Sequence, residues 1–296
     1  MRPDTKVDLG LNLPNFGPES TPAALVGWAR FAEQEGFDLV VVSDHVAPTP
    51  EVTDLYPPPF HDPFALLAWL APQTSRVRLG TSVVVLPYRH PLQVARLSGM
   101  LQEYSGGRFV LGVGTGWART EFAAIGQDAR QRGPVSDAAL DVITRAWAAD
   151  TVSGPGFTGV ATGPRPPTGA LPLWVGGHAP AAIRRAARYG SAWHPINPEL
   201  SWLRDVGLPA LTAAAADLGR PVPELAVRIK ARLQPDPAPD DRPLGVGTLN
   251  QVVDDVIALT ELGAAEIMLD PNPDRPRPRD FAAEQRDLAR IRAALD

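Results

Sequence analysis

FDLVVVS, residues 37–43, is the stretch on which the fold turns. Its near-unbroken apolar run, rich in β-branched residues, reads as a strand covered on both faces, the habit of parallel sheets. Upstream, Thr21-Pro22 pairs an N-cap with a first-turn proline and opens a helix to about Glu35. Gly36 then supplies the left-handed residue that ends it. Before that helix comes a strand over Val7 to Leu13. Downstream the alternation repeats: helix Pro63 to Gln73, strand Val77 to Leu86, a helix from His90-Pro91 to Ser105-Gly106-Gly107, and strand Phe109 to Val113. After a helix over Ser136 to Ala149, residues 151–170 are rich in Gly, Pro and Thr and read as an inserted loop or short hairpin. Strands follow at Leu173 to Gly176, Ser191 to Ile196, Leu225 to Leu233 and Glu266 to Asp270, with helices over Pro180 to Arg188, Trp202 to Leu218, Leu249 to Leu262 and Asp280 to Leu295. Eight strands each trailed by a helix is the count of an α/β barrel, (β/α)8, with an insertion after strand four. No linker divides residues 1–296, so one domain is expected; an open doubly wound sheet is the structural competitor.

Composition narrows the functional classes. The 296 residues are 44% hydrophobic and 21% charged with a net charge of −5, so no basic field is available for nucleic acid. The absence of cysteine removes disulfides, thiolate metal sites and cysteine nucleophiles together. Neither an apolar leader at the start nor a run long enough to span a membrane is visible, so a cytoplasmic protein is the expectation. No histidine–acid spacing of a metal site is present, and no metal is expected. Lys6 and Lys230 are the only lysines, which leaves little for Schiff-base chemistry. The heavy use of Arg, Ala and Pro is of the kind found in GC-rich, actinobacterial-type genomes.

In such a barrel the chemistry gathers at the carboxyl ends of the strands. Those ends carry Asn15, Asp44-His45, Tyr88, His90, Gly114-Thr115-Gly116-Trp117, Gly176-Gly177-His178, Trp193-His194 and Asp270. Four of the five histidines fall in this set, and His61 lies in a loop on the same face. Asp44-His45 can serve as a proton donor and a polar contact to a ring cofactor, or as a loop cap with a histidine packed beneath it. Gly112, Gly114 and Gly116 strip one strand face of side chains, which admits either a flat ligand or a close backbone. Gly176-Gly177 before the helix at Pro180 offers backbone N–H groups to an anion, as many strand-to-helix turns do.

Several segments together resemble the bacterial luciferase-like superfamily, in particular its coenzyme F420-dependent branch. They are GLNLPN (10–15), EQEGFDLVVVSDHV (33–46), RLGTSVVVLPYRHP (78–91), YSGGRFVLGVGTGWARTEF (104–122) and LPLWVGGHAPAAIRRAARYGSAWHP (171–195), in the family's order over most of the chain. The resemblance implies a barrel with an inserted segment after strand four. It also implies a non-prolyl cis peptide in strand three, at Ser82–Val83, behind the cofactor's central ring. Asp44 and His45 match residues lining that ring, Gly114, Thr115 and Gly116 match the loop at its pyrimidine edge, and Gly176, Gly177 and His178 match the phosphate-binding turn.

Three departures refine what the resemblance implies. Thr115 stands where luciferases place a phosphate-binding Arg, and Ala179 where they place a Ser, which favours F420 over FMN. Trp117 stands where the branch's sugar-phosphate dehydrogenases carry a Glu, so an apolar or aromatic small-molecule substrate is expected beside Asn15, Tyr88, Trp117 and Trp193. The implied activity is an F420-dependent oxidoreductase acting on an activated C=C, C=N or C=O group, with His45 or His194 as the catalytic acid. An FMN-dependent monooxygenase and a non-catalytic flavin-binding barrel are the alternatives. The family's frequent dimerisation makes a homodimer an expectation.

Overall fold

A computed structural model describes residues 7–166 and 171–295. Eight parallel strands close into a barrel: Asp8–Asn12, Leu39–Val42, the interrupted pair Arg78–Thr81 and Val84–Val85, then Phe109–Gly114, Leu173–Gly176, Ala192–His194, Glu224–Lys230 and Ala264–Asp270. The first strand pairs with both the second and the eighth, and the third with the fourth, so no edge is left open. The expected barrel is therefore the observed one, and the doubly wound alternative is gone.

The run at 37–43 behaves as its composition demands. Leu39, Val40, Val41 and Val42 are all fully buried. Leu39 and Val41 point inward to a small cluster with Val110, Trp174, Ala192, Ala226 and Met268, while Val40 and Val42 face the large core beneath the helices. The first helix spans Pro22–Gln34, and the Thr21 hydroxyl caps it by accepting from Ala24 N–H at 3.2 Å. Gly36 follows with φ +75°. His90 caps Pro91–Tyr104 through its ring, Nδ1 accepting from Leu92 N–H at 3.3 Å. The insertion contains an antiparallel hairpin, Thr151–Gly154 with Phe157–Ala161; residues 167–170 of the expected segment lie outside the described residues.

Three elements differ from expectation. The helix expected over 202–218 carries a wide five-residue turn at Leu203–Gly207 before Leu208–Asp217. The seventh strand stops at Lys230, and Arg232–Leu233 pairs separately with Val246–Gly247. The third strand is not continuous over Val77 to Leu86. Gly80 lies opposite Val110 and Val84 opposite Val113, so four residue steps on one strand face three on the other. That extra residue is a bulge, and the Ser82–Val83 peptide within it is cis.

The bulge explains the glycines facing it. A Cβ on Gly112 would sit 1.9 Å from the Thr81 carbonyl oxygen, one on Gly114 2.6 Å from Val83, and one on Gly116 2.7 Å from Val85. The alternating glycines are thus demanded by neighbouring protein atoms, as the barrel-packing reading of LGVGTGW expects, and Gly114 and Gly116 also border the cleft described below. Where the ladder is interrupted, the buried Thr81 hydroxyl substitutes for it, donating to Gly112 C=O at 2.7 Å and accepting from Gly112 N–H at 2.9 Å.

Gly112→Ala is expected to destabilise the fold by at least about 3 kcal/mol, because backbone cannot retreat as a flexible side chain can. Gly27→Ala is the control: Gly27 is exposed within the first helix with open space around its Cβ position. That change is expected to stabilise by about 0.5–1 kcal/mol. Urea unfolding followed by far-UV circular dichroism reads both; a tolerated Gly112→Ala contradicts the packing argument.

Candidate active site

A cleft of about 400 Å³ opens at the carboxyl ends of the strands. Its walls have three characters. Ser82, Val83 and Val85 from the bulged strand face Gly114, Thr115 and Gly116, with Gly176 and Gly177 beyond. Phe16, His45, Tyr56, Phe60, Tyr88 and Trp117 form an aromatic end. Asn12, Arg228, Lys230, Asp270, Asn272 and Asp274 form a polar end.

Asp44, at the end of the buried second strand, ties that strand to the bulge. Its Oδ2 accepts from Val85 N–H at 2.9 Å and is ion-paired to Arg89 Nη1, while Arg89 Nη2 reaches Oδ1 at 2.8 Å. Full burial pushes the Asp44 carboxyl up against the pull of Arg89. Burial would lower the Arg89 guanidinium, but the Asp44 and Asp62 carboxylates hold it above its ordinary value.

His45 is nearly enclosed, its side chain 8% exposed. Nδ1 lies 2.6 Å from Oε2 of Glu121, which is fully buried. The other oxygen, Oε1, accepts from Val46 N–H at 2.7 Å and Ala47 N–H at 2.9 Å, and Tyr88 donates its hydroxyl to Oε2 at 3.1 Å. Burial alone would raise the Glu121 carboxyl; the bonds from His45, Ala47 and Tyr88 hold it below its ordinary value. Burial and that carboxylate push the Tyr88 phenol up, so it remains a donor. The His45 ring packs edge-on against Phe60 and Trp117, with centroids 5.1 and 5.7 Å away.

His194, the other candidate acid, is placed differently. It is fully buried and does not reach the cleft. Nδ1 lies 2.7 Å from the Ala226 carbonyl, an acceptor only, so the ring proton resides there. Nε2 therefore accepts from the Ser82 hydroxyl at 2.7 Å. Burial, reinforced by the Arg228 charge, pushes His194 down to about 3. It is a neutral anchor for Ser82, which Arg228 also holds through bonds of 2.9 Å to Oγ and 2.7 Å to the carbonyl.

Two further expectations, Asn15 and Trp193, need correction. Asn15 is fully buried and clamps two loops, donating to Ser43 C=O and His61 C=O and accepting from Ser43 N–H. Trp193 is buried beneath the cleft, its indole N–H donating to Gly177 C=O at 2.9 Å. His178 sits against Trp202 and accepts from Ile196 N–H at 3.2 Å, outside the cleft lining. Asn15 and Trp193 stand at strand ends as expected, but their side chains are spent on loop structure. Tyr88, Trp117, Asp44, His45, Ser82, Val83, Gly114, Thr115, Gly116, Gly176 and Gly177 do converge on the cleft.

The sequence reading gave no role to Glu121, Arg228, Tyr56 or Phe60. Glu121 belongs to a six-residue helix, Arg119–Ala124, too short for periodicity to register; its partners His45, Val46 and Ala47 lie 74–76 residues away and Tyr88 lies 33 away. Arg228 could have been noticed as the one charge within Leu225–Ile229, the apolar middle of a strand that runs from Glu224 to Lys230.

Comparison with known proteins places this arrangement among relatives. The family model described as luciferase-like monooxygenase matches residues 7–242. An F420-dependent glucose-6-phosphate dehydrogenase of Beutenbergia cavernae is 34% identical over 227 residues, covering 73% of this chain and 65% of that protein, just under two thirds of its length. The enzyme of the same name from Nocardia farcinica is 29% identical over 245 residues, 79% of this chain and 71% of that one. Among solved structures, a monooxygenase from Streptomyces bottropensis superposes with a TM-score of 0.78 at 22% identity, covering 98% of both chains. An F420-dependent secondary alcohol dehydrogenase in complex with an F420–acetone adduct does so with 0.78 at 20% identity, covering 98% of this chain and 99% of that one. At such identities the superpositions establish a shared barrel.

The His194 environment has a pH signature. The unfolded chain takes up a proton near the ordinary value of 6.5, while folded His194 resists until about 3. Stability from this group is present above that window and is lost as pH falls through it, by up to about 1.4 kcal/mol per pH unit. Between about pH 6 and 4 the denaturation midpoint is expected to fall more steeply for the native chain than for His194→Gln. Equal slopes in urea titrations would contradict a buried neutral imidazole.

Proposed function

The chain belongs to the luciferase-like monooxygenase family, and we propose that it acts there as an F420-dependent oxidoreductase on a small, largely apolar organic substrate. The observation that carries the reading is convergence. Asp44 and His45, Ser82 and Val83, Gly114 to Gly116, and Gly176 and Gly177 come from four separate parts of the chain and line one cleft. Its volume is within the usual range for small-molecule sites.

The residues present fit a deazaflavin. The bulge at Ser82–Val83 offers a backing surface anchored by His194 and Arg228. Gly176-Gly177 leads into the ten-residue helix Pro180–Tyr189, whose cap, Ala179, makes no side-chain hydrogen bond and leaves only backbone to meet a phosphate. The names of the curated relatives point the same way. Bound there, F420 would supply two-electron hydride chemistry at its ring.

The chain's own contribution is orientation, exclusion of water and proton handling. His45 is the group of choice for the proton, because Nδ1 is committed to Glu121 and Nε2 forms no hydrogen bond within the described residues. Phe16, Tyr56, Phe60 and Trp117 surround that position with apolar surface, suited to an unsaturated or carbonyl compound with an aliphatic or aromatic body. Trp117 is 43% exposed and stands at the rim.

Titration with F420 and FMN in parallel tests the cofactor. F420 is expected to bind at least about tenfold more tightly, a difference of ~1.4 kcal/mol. FMN preference together with reductant-dependent oxygen consumption would replace the reading with a flavin monooxygenase. Tight F420 binding without turnover on a broad panel would leave a binding protein. Gly177 has φ +113°, and a Cβ there would lie 2.9 Å from that of Ala182. Gly177→Asp, which adds like charge to that strain, is expected to weaken F420 binding by at least about a hundredfold. Unchanged affinity would move the phosphate elsewhere.

A further inference from the structure

We infer that Glu121 is a positioning residue for proton transfer: it locks neutral His45 in the Nδ1–H tautomer and so presents an unprotonated Nε2 to the cleft. The inference rests on the role proposed above for His45.

The argument is a count of donors. Two carboxylate oxygens receive the Val46 and Ala47 amides on Oε1 and the His45 ring and Tyr88 hydroxyl on Oε2. Backbone amides can only donate, so Oε1 is committed to the loop that follows the second strand. A fully buried carboxylate with four converging donors is satisfied when its oxygens accept from all four, and His45 Nδ1 at 2.6 Å must then carry hydrogen. Neutral imidazole has one N–H, so Nε2 is left with its lone pair. When Nε2 takes a proton, the resulting imidazolium faces a carboxylate already in place, with no reorganisation needed. One side chain thus shapes the loop carrying His45 and sets which nitrogen exchanges protons with a ligand.

Replacing Glu121 by Gln keeps size and shape but not the donor count. A glutamine has one acceptor oxygen, which the two backbone amides claim. Its NH₂ then faces His45 and Tyr88, and His45 Nδ1 must become an acceptor with the ring proton on Nε2. The expected effect is an inverted tautomer, something a purely structural role for Glu121 would not produce.

The test uses the cofactor-free protein labelled with ¹⁵N-histidine, observed at a pH where His45 is neutral. The chain has five histidines, and loss of one spin system in His45→Asn assigns the relevant one. Nδ1–H is expected in the native chain, and the two ring-nitrogen resonances are expected to exchange positions in Glu121→Gln. An Nε2–H tautomer in the native chain, or an unchanged tautomer in folded Glu121→Gln, overturns the proposal. Should Glu121→Gln not fold, the native tautomer and Tyr88→Phe decide. Tyr88→Phe removes a competing donor from Oε2 and should preserve Nδ1–H; loss of that tautomer in Tyr88→Phe overturns the proposal. F420 titration of the native protein is read separately, so a failed cofactor assignment leaves a distinct signature from a failed tautomer.

Discussion

The contact between Thr81 and Gly112 governs how the third and fourth strands meet, and the rest of the cleft is built out from it. A side chain at position 112 would collide with the Thr81 carbonyl at 1.9 Å, so only glycine lets the strands approach there. The approach leaves one residue too many on the third strand between its two paired segments. Backbone groups stranded by that mismatch would carry a desolvation cost of about 1–3 kcal/mol each if left bare in the interior. The Thr81 hydroxyl removes it for Gly112, bonding both its N–H and its C=O. Serine could offer the same hydroxyl but with a freer χ1; threonine's branch restricts the rotamer and suits it to a strand.

The surplus residue is displaced toward the cleft, where it must be held. Ser82 is gripped from behind by His194 Nε2 and from the polar end by Arg228, and Val85, just past the bulge, gives its N–H to Asp44. These contacts draw on the second, third, sixth and seventh strands, so the cleft wall is an average over much of the barrel and not a local loop feature. Side chains locked by several partners keep a site's geometry within the tolerance that positioning chemistry requires. The arrangement also sets a condition on His194. A proton on Nε2 would confront the Ser82 hydroxyl hydrogen and sit close to the Arg228 charge, which is why burial and Arg228 both act to keep that nitrogen bare.

What could be read in the sequence follows from the range over which each signal operates. The FDLVVVS run, the Thr21-Pro22 start, the Gly36 stop and the His90-Pro91 start are decided by neighbours within a few residues, and all reappear in the structure. The bulge at Ser82–Val83 left no local mark, since RLGTSVVVL reads as one uninterrupted strand; it was accessible only through the resemblance. Glu121 was unread because carboxylates on short surface-like helices are ordinarily solvated, and nothing in WARTEF reveals that residues 45–47 and 88 close over it. Asn15, Trp193 and His194 show the complementary error. Strand-end position correctly places a residue at the functional face, yet it does not say whether the side chain turns into the cleft or is consumed in holding the loops that form it.

His45 and His194 illustrate how one residue type is divided between these two tasks. Both follow apolar strand residues, both are nearly or fully buried, and both form a 2.6–2.7 Å bond through Nδ1. The difference is the acceptor. The Ala226 carbonyl given to His194 carries no net charge and cannot compensate an imidazolium, whereas the Glu121 carboxylate given to His45 can. The remaining nitrogens diverge accordingly: Nε2 of His194 is consumed by Ser82, while that of His45 has no hydrogen-bond partner among the described residues. A histidine able to exchange a proton needs both a free nitrogen and a counter-charge for its protonated form. Of the two strand-end histidines proposed as acids, only His45 has both, and the barrel supplies them by closing residue 121 over the end of the second strand.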